Sequence, residues 1–130
     1  MRNIITFGTF DVFHVGHLNI LRRAKSLGDR LIVGVSSDAL NFRKKNRYPI
    51  YVEQDRLSII QGIRYVDDVF LEESLELKAS YIKKYAADVL VMGDDWQGKF
   101  DSLSSLVNVV YLQRTPSVST TSVIEVIKSV

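Results

Sequence analysis

The sequence predicts an α/β fold, a parallel sheet with helices on both faces, from three observations. Five short apolar runs are spread along the chain, segments with helical periodicity separate them, and no Pro/Gly-rich linker interrupts the alternation. Strands covered on both faces lose the in-out alternation of exposed sheets and become nearly continuous Val, Ile and Leu. Strand-helix alternation then specifies parallel pairing, because a parallel neighbour can be reached only through a crossover.

The predicted strands are residues 4–7, 31–35, 69–71, 89–92 and 109–112. After the first, Leu18, Leu21, Ala24 and Leu27 recur at helical spacing, and Gly28 follows where a helix takes its C-terminal glycine. Leu57, Ile60 and Ile63 predict a second helix, residues 75–85 a third, and Val123 with Ile127 a last one. The polar stretch 41–49 is expected to be a mobile surface loop. Together these elements describe a single Rossmann-like domain over residues 1–130. Ligands of such sheets bind beyond the carboxyl ends of the strands, near a switch in strand order.

Composition narrows the function. Hydrophobic residues make up 46% and charged residues 25% of the 130, the balance of one folded globular domain. A formal charge of +2 without a basic stripe argues against a nucleic-acid partner. The absence of cysteine excludes disulfides and thiolate metal sites. The apolar start is too short for a signal peptide, and no run reaches the roughly 18 apolar residues of a membrane span, so a soluble, cytoplasmic protein is expected.

The chemistry concentrates directly after the first strand, in Gly8-Thr9-Phe10-Asp11 and His14-Val15-Gly16-His17, which lead into the first helix. Residues three apart at a helix start share a face, so both imidazoles can address one ligand while Gly16 permits close backbone approach. Free N–H groups at the helix start add an anion site. The competing reading has His14 packed in a turn and His17 capping a surface helix. Position favours the ligand: these are the only histidines of the chain, and both stand where a parallel sheet binds. Near the end of the chain, Arg114 offers a planar fork of donors, and Ser119 is a natural N-cap ahead of the Val123 helix. No serine or threonine stands beside a base-and-orienter pair in sequence, so a covalent intermediate is not expected.

These segments resemble the HxGH cytidylyltransferase family, and three further stretches narrow the likeness to its glycerol-3-phosphate-specific members. They are Arg64-Tyr65-Val66-Asp67, the run from Met92-Gly93-Asp94-Asp95-Trp96 to Asp101, and Arg114-Thr115-Pro116-Ser117-Val118-Ser119-Thr120-Thr121. The resemblance covers nearly the whole chain. It implies transfer of a cytidylyl group from CTP to a phosphorylated small alcohol, glycerol 3-phosphate, with release of pyrophosphate. It assigns CTP to Thr9, Phe10, His14, Val15, Gly16, His17, Arg64, Asp94, Arg114, Thr115, Ser119, Thr120 and Thr121. His14, His17 and Arg114 would stabilise the transition state, and Lys44 and Lys78 would hold the acceptor phosphate. A magnesium ion would ride mainly on the CTP phosphates with Asp11 near it; Asp11 could equally serve only to order its turn. Trp96 suits a ligand contact or simple packing. The sequence departs from the family pattern around the acceptor: Pro49 lies in a loop one residue longer, so Lys45 or Arg47 could assist Lys44, and Leu75 stands where tryptophan is usual. The resemblance further implies a homodimer and a role in supplying a glycerol-phosphate wall or capsule polymer. Adenylyl transfer, a phosphoethanolamine acceptor and a non-catalytic nucleotide-binding module are the alternatives.

Overall fold

In the computed structural model, which describes all 130 residues, the five expected strands form one parallel sheet. They are β1 (Asn3–Gly8), β2 (Arg30–Ser36), β3 (Asp68–Glu72), β4 (Val89–Gly93) and β5 (Asn108–Leu112), in the order β3-β2-β1-β4-β5. The chain winds outward from β1 to β3 and then returns to the other side of β1, so the order switches between β1 and β4. Their register, Ile4 opposite both Leu31 and Val89, brings the carboxyl ends of β1, β2 and β4 to one edge.

Five helices complete the domain: α1 (Val15–Lys25), α2 (Asp38–Lys45), α3 (Glu53–Gln61), α4 (Lys78–Lys84) and α5 (Thr120–Ser129). The sheet buries a different set of side chains on each face, as the two-residue strand period requires. Ile4, Leu31, Val33 and Val89 pack with Leu21 and Ala24 of α1 and Ile60 of α3. Ile5, Ile32, Leu90 and Met92 pack on the opposite face with Ile82 of α4. No helix is long and apolar enough to cross a membrane.

Three expectations change. The first helix starts earlier and ends at Lys25, and Gly28 is not its left-handed terminator: among the glycines only Gly98 has a positive φ. Close packing demands glycine there instead, since a Cβ on Gly28 would lie 2.7 Å from the Arg2 carbonyl oxygen. The third helical segment divides into a 3-10 turn (Leu75–Leu77) and α4. The supposed loop 41–49 is helical through Lys45, because Ser37 caps α2 by accepting from the Leu40 N–H at 3.0 Å. Asn41 is 1% exposed, with its amide donating to the carbonyls of Ser36 and Ser37.

Candidate active site

A cavity of about 650 Å³ opens at the carboxyl edge of the sheet, at the β1/β4 switch. The end of β1 and its following loop form the floor, α5 supplies Thr120 and Thr121, and α2 with the residues after it supplies Lys44, Lys45 and Arg47.

The loop from β1 to α1 is strained. Phe10 has φ 55° and Val12 φ 46°, left-handed backbone that costs a side-chain-bearing residue on the order of 1–3 kcal/mol. Surrounding contacts hold it. Phe10 is buried edge-on to His17. The Asp11 carboxylate accepts from the N–H groups of Ile50 at 2.8 Å and Tyr51 at 2.9 Å, and the Asp11 carbonyl accepts from the Thr120 hydroxyl at 3.1 Å. Asp11 therefore orders the turn and also lines the cavity.

At the start of α1 the two histidines form a reciprocal cap. His14 Nδ1 accepts from the Gly16 N–H at 3.0 Å, and His17 Nδ1 accepts from the His14 N–H at 3.2 Å. Their rings stack 3.8 Å apart, and a Cβ on Gly16 would strike the His14 ring at 2.8 Å. Both histidines thus cap the helix start through Nδ1, which leaves Nε2 of each ring outside the cap. With each Nδ1 accepting, each neutral ring carries its proton on Nε2 and presents a donor there. Burial holds His14 below its ordinary value, helped by the Arg114 guanidinium. Burial and the neighbouring His14 hold His17 down to about 4, against the pull of Asp11. Both rings are neutral donors near pH 7. His17 lines the cavity, while His14 stacks on it and faces Thr120, its Nε2 3.4 Å from the hydroxyl. Sequence distance hid that Thr–His contact. The Thr120 hydroxyl already donates to Asp11 and faces an Nε2–H donor, so His14 does not act on it as a base.

The closing segment lies alongside. Ser119 caps α5 as expected, accepting from the Ser122 N–H at 3.0 Å, and Thr115 accepts from Asn19 at 3.0 Å. Arg114 and Thr115 face a neighbouring shallow cleft with Ser119. The Arg114 guanidinium pairs with Asp95 at 3.1 Å and the Arg114 backbone N–H approaches Asp94 at 3.4 Å, which ties this segment to the end of β4. Asp95 and Trp96 line the main cavity, and Trp96 also packs on Phe100. Val15 is exposed on the first turn of α1. Arg64 stands outside both hollows, exposed, with its guanidinium over the Tyr65 ring. It follows α3 and precedes β3, which places it toward the amino edge of the sheet.

Thr9, Lys44 and Lys78 meet at the cavity wall, with partners that sequence reasoning missed. Thr9 donates to Asn41 at 2.8 Å. Arg56 is fully buried and donates to the carbonyls of Thr9, Ser36 and Tyr51 and to Asp38 at 2.7 Å, bracing the floor. Lys78, 4% exposed, pairs with the buried Glu72 and lies 4.2 Å from the centroid of the Phe7 ring. A charge within an apolar helix face, Arg56, and a carboxylate at a strand end, Glu72, were the available signals.

A histidine pair at a helix start, neutral and donating, beside the half-buried Lys44 and buried Lys78 ammoniums at the switch point of a parallel sheet suits an α/β protein that handles phosphate. The cytidylyltransferase-like family matches residues 5–126, and the chain belongs to it. It is 48% identical over 126 residues to the glycerol-3-phosphate cytidylyltransferase of Bacillus subtilis (strain 168), covering 96% of each chain. It is 42% identical to the enzyme of that name from Staphylococcus aureus (strain NCTC 8325 / PS 47), covering 95% of this chain and 92% of the other. Its fold matches the crystal structure of the lipopolysaccharide core biosynthesis protein from Thermoplasma volcanium GSS1 with a TM-score of 0.74 at 27% identity, covering 88% and 98% of the two chains.

Proposed function

We propose that the protein transfers the cytidylyl group of CTP to glycerol 3-phosphate, giving CDP-glycerol and pyrophosphate. The observation that carries this reading is a single cavity with the Nε2–H donor of His17 on one wall and the ammoniums of Lys44 and Lys78 on another. An acceptor phosphate held by the lysines attacks the α-phosphorus of CTP in line. The new P–O bond forms as the bond to the α,β-bridging oxygen breaks, and that electron pair leaves with pyrophosphate. The acceptor is already an anion, so no enzyme nucleophile is required and alignment with charge stabilisation is the main task. His14 and His17 donate to the oxygens where charge gathers, and Arg114 supports the leaving phosphates once CTP displaces its surface pairing with Asp95.

No three carboxylate or imidazole groups converge as a metal cage. The donor set fits a magnesium ion carried in by the nucleotide, with Asp11 as the carboxylate beside the histidine pair; bound there, it would neutralise phosphate charge. Arg64 would bear on CTP only from outside the cavity wall, and a cytoplasmic homodimer is proposed from the family resemblance.

Pyrophosphate release assayed with each of four nucleotides and with several phosphorylated alcohols tests the reading. CTP with glycerol 3-phosphate should give the highest kcat/KM; preference for ATP, or for phosphoethanolamine, would replace it.

A further inference from the structure

Glu72 ends β3 with its side chain buried at 1% exposure, on the cavity wall yet outside the roles assigned above. One carboxylate oxygen is ion-paired with Lys78 Nζ. The other accepts from the Ser36 hydroxyl at 3.3 Å, and Ser36 Oγ in turn accepts from Lys44 Nζ at 3.4 Å. β2 and α4 therefore present polar groups to one buried anion directly, and α2 is linked to it through Ser36.

We propose that Glu72 is the positioning residue of the acceptor end of the cavity, fixing the Lys78 ammonium directly and the Lys44 ammonium through Ser36 so that both can meet the acceptor phosphate. This rests on the assignment of that end of the cavity to the acceptor.

Charge counting explains why a carboxylate belongs in an anion site. Two ammoniums and one carboxylate leave a single net positive charge. A buried and a half-buried ammonium with no anion between them would carry a large desolvation cost, and one would shed its proton instead. Burial does depress both lysines, and Glu72 opposes that for each. Lys78, Lys45 and Arg56 also push Lys44 down, Arg56 being itself paired with Asp38. Without Glu72 the cluster would keep about the same net charge near neutral pH but lose a donor and its fixed geometry. The Phe7 and Phe100 rings beside Lys78 offer cation–π contact but no hydrogen-bond acceptor to replace the carboxylate.

Glu72→Gln, nearly isosteric, should raise the KM for glycerol 3-phosphate about ten-fold while moving that for CTP less than about two-fold. Because the unpaired lysine loses its proton as pH rises, the ratio of variant to wild-type kcat/KM for the acceptor should fall steadily from pH 6 to pH 9. A merely structural lesion would give a pH-independent ratio and affect both substrates. Ser36→Ala, which cuts only the link to Lys44, should raise the acceptor KM by about three-fold; should Glu72→Gln not fold, an unchanged acceptor KM in Ser36→Ala overturns the proposal. Lysine 13Cε titration of wild type and Glu72→Gln, with Lys44→Met and Lys78→Met for assignment, reads protonation without any turnover. Titration of one lysine at lower pH in the variant is expected, and unchanged titration refutes the role of Glu72. If wild type neither binds nor converts glycerol 3-phosphate, the acceptor assignment falls while the lysine titration still decides whether Glu72 fixes the pair.

Discussion

At the scale of the residue, each histidine caps the start of α1 and, under the proposed function, also donates to CTP, and substitution can separate the two. Nδ1 of His14 caps α1 while its Nε2 faces Thr120 and, as proposed, the CTP phosphates, so alanine removes both roles whereas asparagine, a strong N-cap, restores only the first. His14→Asn is expected to hold stability within about 0.5 kcal/mol of wild type, and His14→Ala to lose on the order of 0.5–2 kcal/mol. Both should lose at least about a hundred-fold in kcat, the usual cost of removing a transition-state donor. His17 occupies the third helical position, where glutamine completes a capping box, so His17→Gln should behave like His14→Asn. Chemical denaturation beside steady-state kinetics checks all three; a His14→Asn enzyme with wild-type kcat would confine His14 to capping. The planar fork of Arg114 makes a parallel case. Arg114→Lys keeps the charge but not bidentate geometry, and should lower kcat/KM for CTP about ten-fold with little change in the apo Tm, because its pairing with Asp95 is exposed.

At the scale of the element, the strained β1–α1 loop and the segment before α3 stabilise one another. Asp11 is the tie, since its carboxylate receives the Ile50 and Tyr51 N–H groups, while Arg56 receives no help from it and holds the Tyr51 carbonyl separately. Asp11→Ala should therefore speed hydrogen exchange at Ile50 and Tyr51 by about ten-fold or more while the central strand β1 keeps its protection. Equal exchange in variant and wild type at those two amides would show that the tie carries no weight. The same reasoning explains why α2 runs through Lys45. Its Ser37 cap and the buried Asn41 amide fix the helix, and Lys44, about two turns from that cap, is thereby aimed into the cavity rather than left in a loop.

At the scale of the molecule, the half-buried neutral His17 couples the fold to pH. Its folded value of about 4 lies below the ordinary 6.5, so between those values the unfolded chain takes up a proton that the native chain does not. Stability therefore falls as pH drops from 6.5 towards 4, is unaffected by this group above that window, and loses about 3 kcal/mol across it at 1.36 kcal/mol per pH unit. The unfolding free energy of His17→Gln, which cannot titrate there, should decline less than that of wild type between pH 7 and pH 4.5. Parallel declines would assign the acid sensitivity to other groups. Triphosphate binding works against the same depression, because an anion beside the imidazole favours its charged form.

Local pattern determined a great deal on its own. All five strands, the parallel sheet, the Ser119 cap and the placing of both histidines at the start of α1 were legible, because each depends on side-chain period or on neighbours within a few residues. Tertiary structure decided the rest. Glu72 meets Ser36 across 36 residues, Thr120 meets His14 across 106, and Arg56 gathers carbonyls from three separate segments. Such partners have no periodic signature, since they are brought together only when the sheet closes its strand order. Gly28 makes the same point in reverse: its position suggested a helix terminator, while the requirement for glycine comes from the Arg2 carbonyl 26 residues away in sequence. The wider separation of Arg64 from the cavity was likewise hidden, because a linear motif records which residues occur and in what order, whereas the edge of the sheet on which each one lands is set by the path of the intervening helix.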